Sequence, residues 1–333
     1  MKNLSKIKHL ANTKLLLFCL LMPINVIACD ICGCFMGLTP YDNQSNFGLL
    51  YRYRSFSGYK GQKHSIFPRN SDFLIPKDSR NAPLTTHMGN ASDYEAYRTL
   101  EFRGRYFIHR RIELNAIIPY NSNTERYNSY TSSISGMGDV NLFAGYHLIR
   151  KLNGPNVNQR LIVGAGVKLP SGKNNVKTTT GIRYSALMQP GTGSTDGFLY
   201  LNYLLGYKKF GLSLNTAYKV NGQNKEAEGI ANSSTSFLNF FYTQRLNKNW
   251  QIMPSAQFFY EKSAGETYNE IRTGEHEMNN LMAGLGADIY YKNIALNIGI
   301  QTNAWQAKTD HPQSAGKIYI GLTYNLNQLY YLL

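Results

Sequence analysis

The chain has 333 residues, a formal net charge of +15 and a negative mean hydropathy. No segment beyond the N-terminal region has 18 consecutive apolar residues, which argues against transmembrane helices. The basic charge is dispersed, and no basic helix or nucleic-acid motif is present, so we expect no nucleic-acid partner. The 25 Tyr, 16 Phe and 29 Gly, with few helix-forming runs, predict an all-β protein.

The N-terminal residues predict export. Four lysines accompany the short apolar run Leu15–Met22, and Val26-Ile27-Ala28 provides a cleavage site. Because Cys29 follows, the same residues also fit a lipoprotein cleavage box, but simple cleavage is favoured for a protein that the bilayer already anchors. The predicted organisation is a signal peptide at 1–28, a Cys-containing segment at 29–45 and an outer-membrane β-barrel at 46–333.

Apolar residues alternate with polar ones through the rest of the chain and predict about twelve strands. In the first strand, Phe47, Leu49 and Tyr51 share one face, and Arg52 and Arg54 share the other. The pattern does not assign faces to the eighth and ninth strands. The predicted strands lie near 46–57, 93–108, 111–120, 138–149, 159–169, 196–207, 210–220, 234–246, 250–261, 281–289, 294–300 and 318–326.

The links between these strands alternate in length. Short links such as Lys208-Lys209 follow even-numbered strands, and long links such as Asn121–Met137 and Pro170–Thr195 follow odd-numbered ones. A soluble sandwich has no reason to keep this parity, whereas outer-membrane barrels have short periplasmic turns and long extracellular loops. Because lipid offers no hydrogen-bond partners, the sheet must close on itself. We therefore predict a closed antiparallel transmembrane up-and-down β-barrel located in the outer membrane.

Charged residues at inward positions are candidates to line the lumen. They could gate a path that prefers anions, or pair with one another in a nearly closed barrel. Asp139 and Asp288 are expected to point inward with them. The predicted lumen-lining residues are Arg52, Arg54, Glu101, Arg103, Arg105, Glu113, Lys168 and Lys219.

A cysteine cluster follows the signal peptide. Cys29, Cys32 and Cys34 could supply three thiolates to a soft ion such as Cu or Zn. A disulfide with one thiol left over is the alternative in an oxidising periplasm, and lipidation of Cys29 would leave only the other two free.

Signals for an enzyme are weak, because no nucleophile elbow, zinc-protease motif or phosphate loop is present. We expect no catalytic residues and no resident cofactor apart from the Cu or Zn considered for the cysteines.

Three motifs lie at predicted junctions of strands and loops. Gly136-Met137-Gly138-Asp139 opens the fourth strand, Leu169-Pro170-Ser171-Gly172 closes the fifth, and Pro190–Asp196 (Pro-Gly-Thr-Gly-Ser-Thr-Asp) opens the sixth. In this order they resemble the outer-membrane barrel family named for the meta pathway of phenol degradation. The resemblance implies a barrel that transports small organic compounds, and it implies no catalytic residues.

The functional expectation is an outer-membrane channel or transporter for small solutes, hydrophobic or anionic. The alternative is a binding or assembly protein whose Cys-x-x-Cys-x-Cys segment captures metal or a periplasmic metal-handling partner. The other expected partners are outer-membrane lipids, including lipopolysaccharide.

Overall fold

The computed structural model describes residues 44–57, 94–127, 130–151, 156–178, 181, 183–272, 277–307 and 313–326. Every regular element within these ranges is a β-strand. No helix in this part of the chain is long and apolar enough to cross a membrane.

Twelve strands among the described residues form one closed wall. Each pairs antiparallel with its neighbours in the chain, and the last returns to the first, where Leu50 lies opposite Gly321. The predicted up-and-down barrel is confirmed. The strands are β1 Asn46–Ser57, β2 Tyr94–His109, β3 Ile112–Tyr127, β4 Val140–Lys151, β5 Val157–Leu169, β6 Asp196–Tyr207, β7 Phe210–Val220, β8 Ser233–Tyr242, β9 Trp250–Ser263, β10 Met278–Tyr291, β11 Ile294–Gln306 and β12 Gln313–Asn325.

The alternation in the sequence becomes two chemically different faces. Leu49 and Tyr51 of β1 are exposed on the outer face, whereas Leu50 and Arg52 between them are buried in the interior. Apolar side chains on the outside suit hydrocarbon, and the interior receives most of the charged and amide groups. The usual soluble arrangement, apolar inside and polar outside, is therefore reversed along this wall.

The link predicted as a long loop at Asn121–Met137 is instead a β-hairpin, so that part of the sequence reading was wrong. β3 continues to Tyr127, and Tyr130–Met137 pairs with its outer half, with Tyr120 opposite Met137. The hairpin escaped prediction because its outer-facing positions carry Ser, Thr and Arg rather than apolar residues. Beyond the apolar belt, neither face has to meet hydrocarbon.

The sequence did not predict which face of strands β8 and β9 points inward, because aromatic residues occupy both faces of each strand. Phe240 and Phe258 are exposed outside and pack edge to face with ring centroids 6.4 Å apart. Phe237 and Phe259 are buried inside with Leu50, Met282 and Tyr319. Because these apolar side chains pack inside the barrel, apolar and polar residues do not alternate along this part of the wall.

At the extracellular end, two of the loops pair with each other through backbone hydrogen bonds. Short strands at Glu228–Ile230, Glu266–Tyr268 and Ile271–Arg272 form a separate three-stranded sheet that joins the β7–β8 and β9–β10 links. This sheet lies beside the segment between β5 and β6, because Glu266 accepts a hydrogen bond from the backbone N–H of Leu187.

Gly164 in β5 gives a test of the interior packing. A Cβ at this position would clash with the ring of Tyr200 and the carbonyl of Ala144. Gly164→Val should lower the free energy of unfolding by about 1–3 kcal/mol, because overpacking a filled interior strains its neighbours. Urea titration of the refolded protein in lipid vesicles would measure the change. The neighbouring change Ala165→Val, which adds methyl groups on the exposed outer face, should leave stability nearly unchanged. Equal losses in the two variants would contradict the assignment of faces.

Candidate functional site

The first charged layer of the interior lies on β1 and β2. Glu101 is buried between two guanidinium groups, those of Arg52 and Arg103, and forms an ion pair with each. The Nε–H of Arg103 donates a 2.6 Å hydrogen bond to Oε2 of Glu101. One carboxylate thus compensates part of the charge of two neighbouring cations.

A second pair connects strands that are not neighbours. The guanidinium of Arg54 on β1 binds both carboxylate oxygens of Glu261 on β9, with Nη1 2.7 Å from Oε2. Both side chains are almost fully buried, at 3% and 0% exposure. Arg54 also lies over the ring of Phe56, 4.5 Å from the centroid. A bidentate pair of this kind combines charge compensation with a fixed geometry.

A third cluster lies nearer the periplasmic turns. Nε2 of His147 is 3.2 Å from Oε2 of Glu113, and Nε of Arg105 is 3.9 Å from the same oxygen. His147 is fully buried and contacts the ring of Phe107 edge on, with centroids 5.4 Å apart. The carboxylate again faces cationic or hydrogen-bonding partners rather than open solvent.

The fourth cluster occupies the extracellular half of the interior. Nζ of Lys168 lies 2.7 Å from Asp196 and 3.1 Å from Asp139, and Nζ of Lys219 lies 3.2 Å from Asp196. Ser194 donates a 2.8 Å hydrogen bond to Asp196, and the N–H of Gly222 donates another at 3.0 Å. Two lysines and two aspartates therefore form one compensated network across β4 to β7.

The three motifs of the sequence converge on Asp139. Its Oδ1 accepts a hydrogen bond from the N–H of Gly172 at 2.9 Å, and its Oδ2 accepts two from Thr192, at 2.8 Å from the N–H and 2.8 Å from the hydroxyl. Side chains larger than hydrogen do not fit here, because a Cβ on Gly172 would come within 2.6 Å of the Gly138 backbone. One carboxylate therefore fastens both ends of the segment that joins β5 to β6.

This segment, residues 170–195, covers the outer end of the interior. Leu187 and Met188 are buried, and the side-chain amide of Asn123 donates to the carbonyl of Met188 at 3.1 Å. Together with wall residues the segment encloses a cavity of about 70 Å³, which has room for only a few water molecules. The cavity is lined by barrel residues Arg52, Glu101, Asn141, Lys168 and Lys219 and by segment residues Ala186, Leu187, Gln189, Pro190 and Thr192.

The structure places all eight predicted lumen residues in or at the edge of the barrel interior, and each takes part in at least one ion pair. Other charged interior residues escaped the sequence analysis. Glu261 lies on a strand whose faces were unreadable, and Lys317 precedes the part of β12 that shows the alternation, with Nζ 3.3 Å from the centroid of the Phe259 ring. Asp196 is the first residue of the predicted sixth strand, for which the sequence analysis assigned no inward residues. Extending the alternation of the last strand by one residue toward the loop would have found Lys317, and assigning faces to the sixth strand would have found Asp196.

The predicted metal ligands Cys29, Cys32 and Cys34 lie outside the described residues. Among the residues that are described, no group of three or more His, Cys, Asp or Glu side chains is arranged to hold a metal ion. Cu or Zn binding by the cysteines therefore stays a prediction.

Comparisons with known proteins identify a family and a solved outer-membrane channel of similar fold. The family model described as "Putative MetA-pathway of phenol degradation" matches residues 87–319. An outer membrane channel from Pseudomonas putida F1 superposes with a TM-score of 0.58 at 11% identity, covering 92% of this chain and 99% of that one. The β-domain of the Bordetella autotransporter BrkA gives a TM-score of 0.48 at 12% identity, covering 86% of this chain and 100% of that one. No curated protein matches the sequence.

The Arg54–Glu261 pair should be a strong determinant of stability. Glu261→Gln keeps the shape but leaves a buried guanidinium without its counter-charge, so the free energy of unfolding should fall by about 3–5 kcal/mol. The double variant Arg54→Met with Glu261→Gln should recover a large part of that loss, because no uncompensated charge remains. Urea unfolding of the wild type, the two single variants Arg54→Met and Glu261→Gln, and the double variant in vesicles measures both effects. A double variant that is as unstable as the sum of its single changes would argue against direct coupling.

Asp139 should control the order of the segment that it fastens. Asp139→Ala removes three hydrogen bonds and an ion pair, so the segment should become more accessible to trypsin at Lys173, Lys177 and Arg183. Limited proteolysis of the folded protein in detergent, followed by mass spectrometry, measures the rate of cleavage. Glu270→Ala, which removes an exposed acid at a loop tip, serves as the control and should be cut like the wild type. Unchanged cleavage in both variants would show that Asp139 does not hold the segment.

Proposed function

The chain belongs to the phenol-degradation MetA-pathway family, and we propose that it is an outer-membrane channel that admits small solutes through the barrel interior. The observation that carries the proposal is the inner surface of the barrel, where buried charged and amide side chains continue from the periplasmic cluster around Glu113 to the extracellular cluster around Lys168. A barrel that served only as an anchor could fill its interior with apolar side chains at a lower cost of desolvation.

The compensated charges favour solutes that are small and polar or weakly charged over strongly charged ones. In and directly beside the outer cavity, four cations face three anions: Arg52, Arg103, Lys168 and Lys219 against Glu101, Asp139 and Asp196. The surplus of one positive charge gives a slight preference for anions, such as small organic acids. A wide, unselective pore is not what this geometry supports, because twelve strands enclose much less space than the 16–18 of the porins.

The described residues between 170 and 195 lie across the extracellular end of the proposed path. The small cavity beneath this segment is too small for an organic solute, so passage requires the segment to move away from Asn123 and Asp139. The proposal therefore includes a closed resting state in which the hydrogen bonds of Asp139 to Gly172 and Thr192 hold the segment in place.

Conductance across planar lipid bilayers tests the proposal. The wild-type protein should give small, infrequent current steps with a modest preference for anions, and Asp139→Ala should give larger or more frequent steps because its segment is released. Liposome swelling with small sugars and organic acids gives an independent measure of solute passage. Glu270→Ala should conduct like the wild type. A folded protein that neither conducts nor admits solutes, with or without Asp139, would overturn the proposal.

A further inference from the structure

The outer face of β1 to β3 and of the strand Tyr130–Met137 changes abruptly from apolar to polar at one row of residues. Tyr51, Leu100, Tyr120 and Met137 lie side by side across the strands, and the last three are 45–48% exposed. The next row toward the extracellular end carries Tyr53, Arg98, Ser122 and Ser135 at the same outer positions. This boundary marks where the apolar belt ends and the polar surface of the outer leaflet begins.

Two arginines stand on the polar side of this boundary at different heights. Arg98 lies in the first row beyond the belt, and Arg126 lies four residues farther along β3 than Ser122, the neighbour of Arg98. At the rise of a strand, four residues correspond to about 13 Å along the strand. The two guanidinium groups therefore lie at two different heights above the apolar belt, and they can contact two anionic groups of one bound ligand.

The side chain of Arg98 is held in place before any ligand arrives. Its Nη1 donates a 3.2 Å hydrogen bond to the Thr124 hydroxyl, which lies 3.0 Å from the hydroxyl of Ser133. Its guanidinium also lies 5.6 Å from the centroid of the Tyr53 ring. In Arg126, by contrast, Nε is buried and has no hydrogen-bond partner among the residues that the structure describes. One arginine is thus pre-oriented, and the other has a buried Nε that the described residues leave without a partner.

The acids of the same strands lie on the opposite face. Glu95 pairs in register with Glu125 at inward positions, and Glu95 is buried and accepts a 2.8 Å hydrogen bond from the hydroxyl of Tyr97. Among the described residues, the outer positions of β1 to β4 and of Tyr130–Met137 beyond the boundary carry only Arg, Ser, Thr, Tyr and Ala. The outer face therefore offers positive charge and hydroxyl groups without competing carboxylates.

We propose that this face binds lipopolysaccharide, with Arg98 on a phosphate at the level of the lipid headgroups and Arg126 on an anionic group of the sugar core above it. A phospholipid headgroup carries its phosphate at a single depth, whereas this glycolipid carries anions at several depths, as the two arginines require. Arginine suits the task because its planar guanidinium forms paired hydrogen bonds to phosphate oxygens. The proposal depends on residence in the outer membrane and not on conduction, so each can fail while the other stands.

Binding of lipopolysaccharide to the full-length protein in detergent tests the proposal. The double variant Arg98→Gln with Arg126→Gln should bind phosphorylated lipopolysaccharide about tenfold or more weakly than the wild type. The matched control Arg245→Gln with Lys248→Gln removes two exposed positive charges near the periplasmic end and should bind like the wild type. Lipopolysaccharide stripped of phosphate should bind weakly to all three proteins.

Two further arms separate the sources of phosphate. Inorganic phosphate and phosphatidylglycerol vesicles should compete poorly with lipopolysaccharide for the wild-type protein, and effective competition by either would overturn the proposal. Unchanged affinity in the Arg98 and Arg126 double variant would overturn it as well. If that double variant does not fold, Arg126→Gln alone serves, because its Nε has no hydrogen-bond partner to lose among the described residues, and it should still bind measurably more weakly.

Discussion

Hydrocarbon cannot satisfy a backbone N–H or C=O group, and the architecture of this protein follows from that constraint. Each of the twelve strands pairs on both sides, and β1 meets β12, so the wall has no open edge. Once the wall is closed, the position of a residue along its strand decides whether its side chain points outward or inward. Side chains on one face meet lipid, and those on the other share a narrow interior in which charges have to compensate one another.

The interior shows how that compensation is achieved with few residues. Carboxylates are placed between cations, as Glu101 is between Arg52 and Arg103 and Asp196 is between Lys168 and Lys219. The same side chains that stabilise the closed state also make the inner surface polar. Stability and any selectivity for solutes therefore depend on the same residues. A substitution that alters selectivity is expected to alter stability as well.

The sequence predicted the parts of this structure that depend on contact with the membrane. Alternation gave the barrel, the strand positions and the inward direction of residues such as Arg54 and Lys168, because a period of two has only one solution when one face meets lipid. It could not predict what lies across the lumen. That Arg54 reaches Glu261, or that Asp139 fastens both Gly172 and Thr192, depends on closure and on the path of a loop, and neither leaves a local pattern in the residues.

The contacts of β9 have a consequence for the shape of the barrel. Besides Glu261, which reaches β1, Gln257 donates to the hydroxyl of Tyr319 on β12 at 2.6 Å and accepts from Gln301 on β11 at 3.0 Å. The wall from β9 through β12 to β1 is therefore tied together from within as well as through its ladder of backbone bonds. Its curvature should stay constant while the protein works, so any change in the bore has to arise along the remaining arc of strands and the segment folded over them.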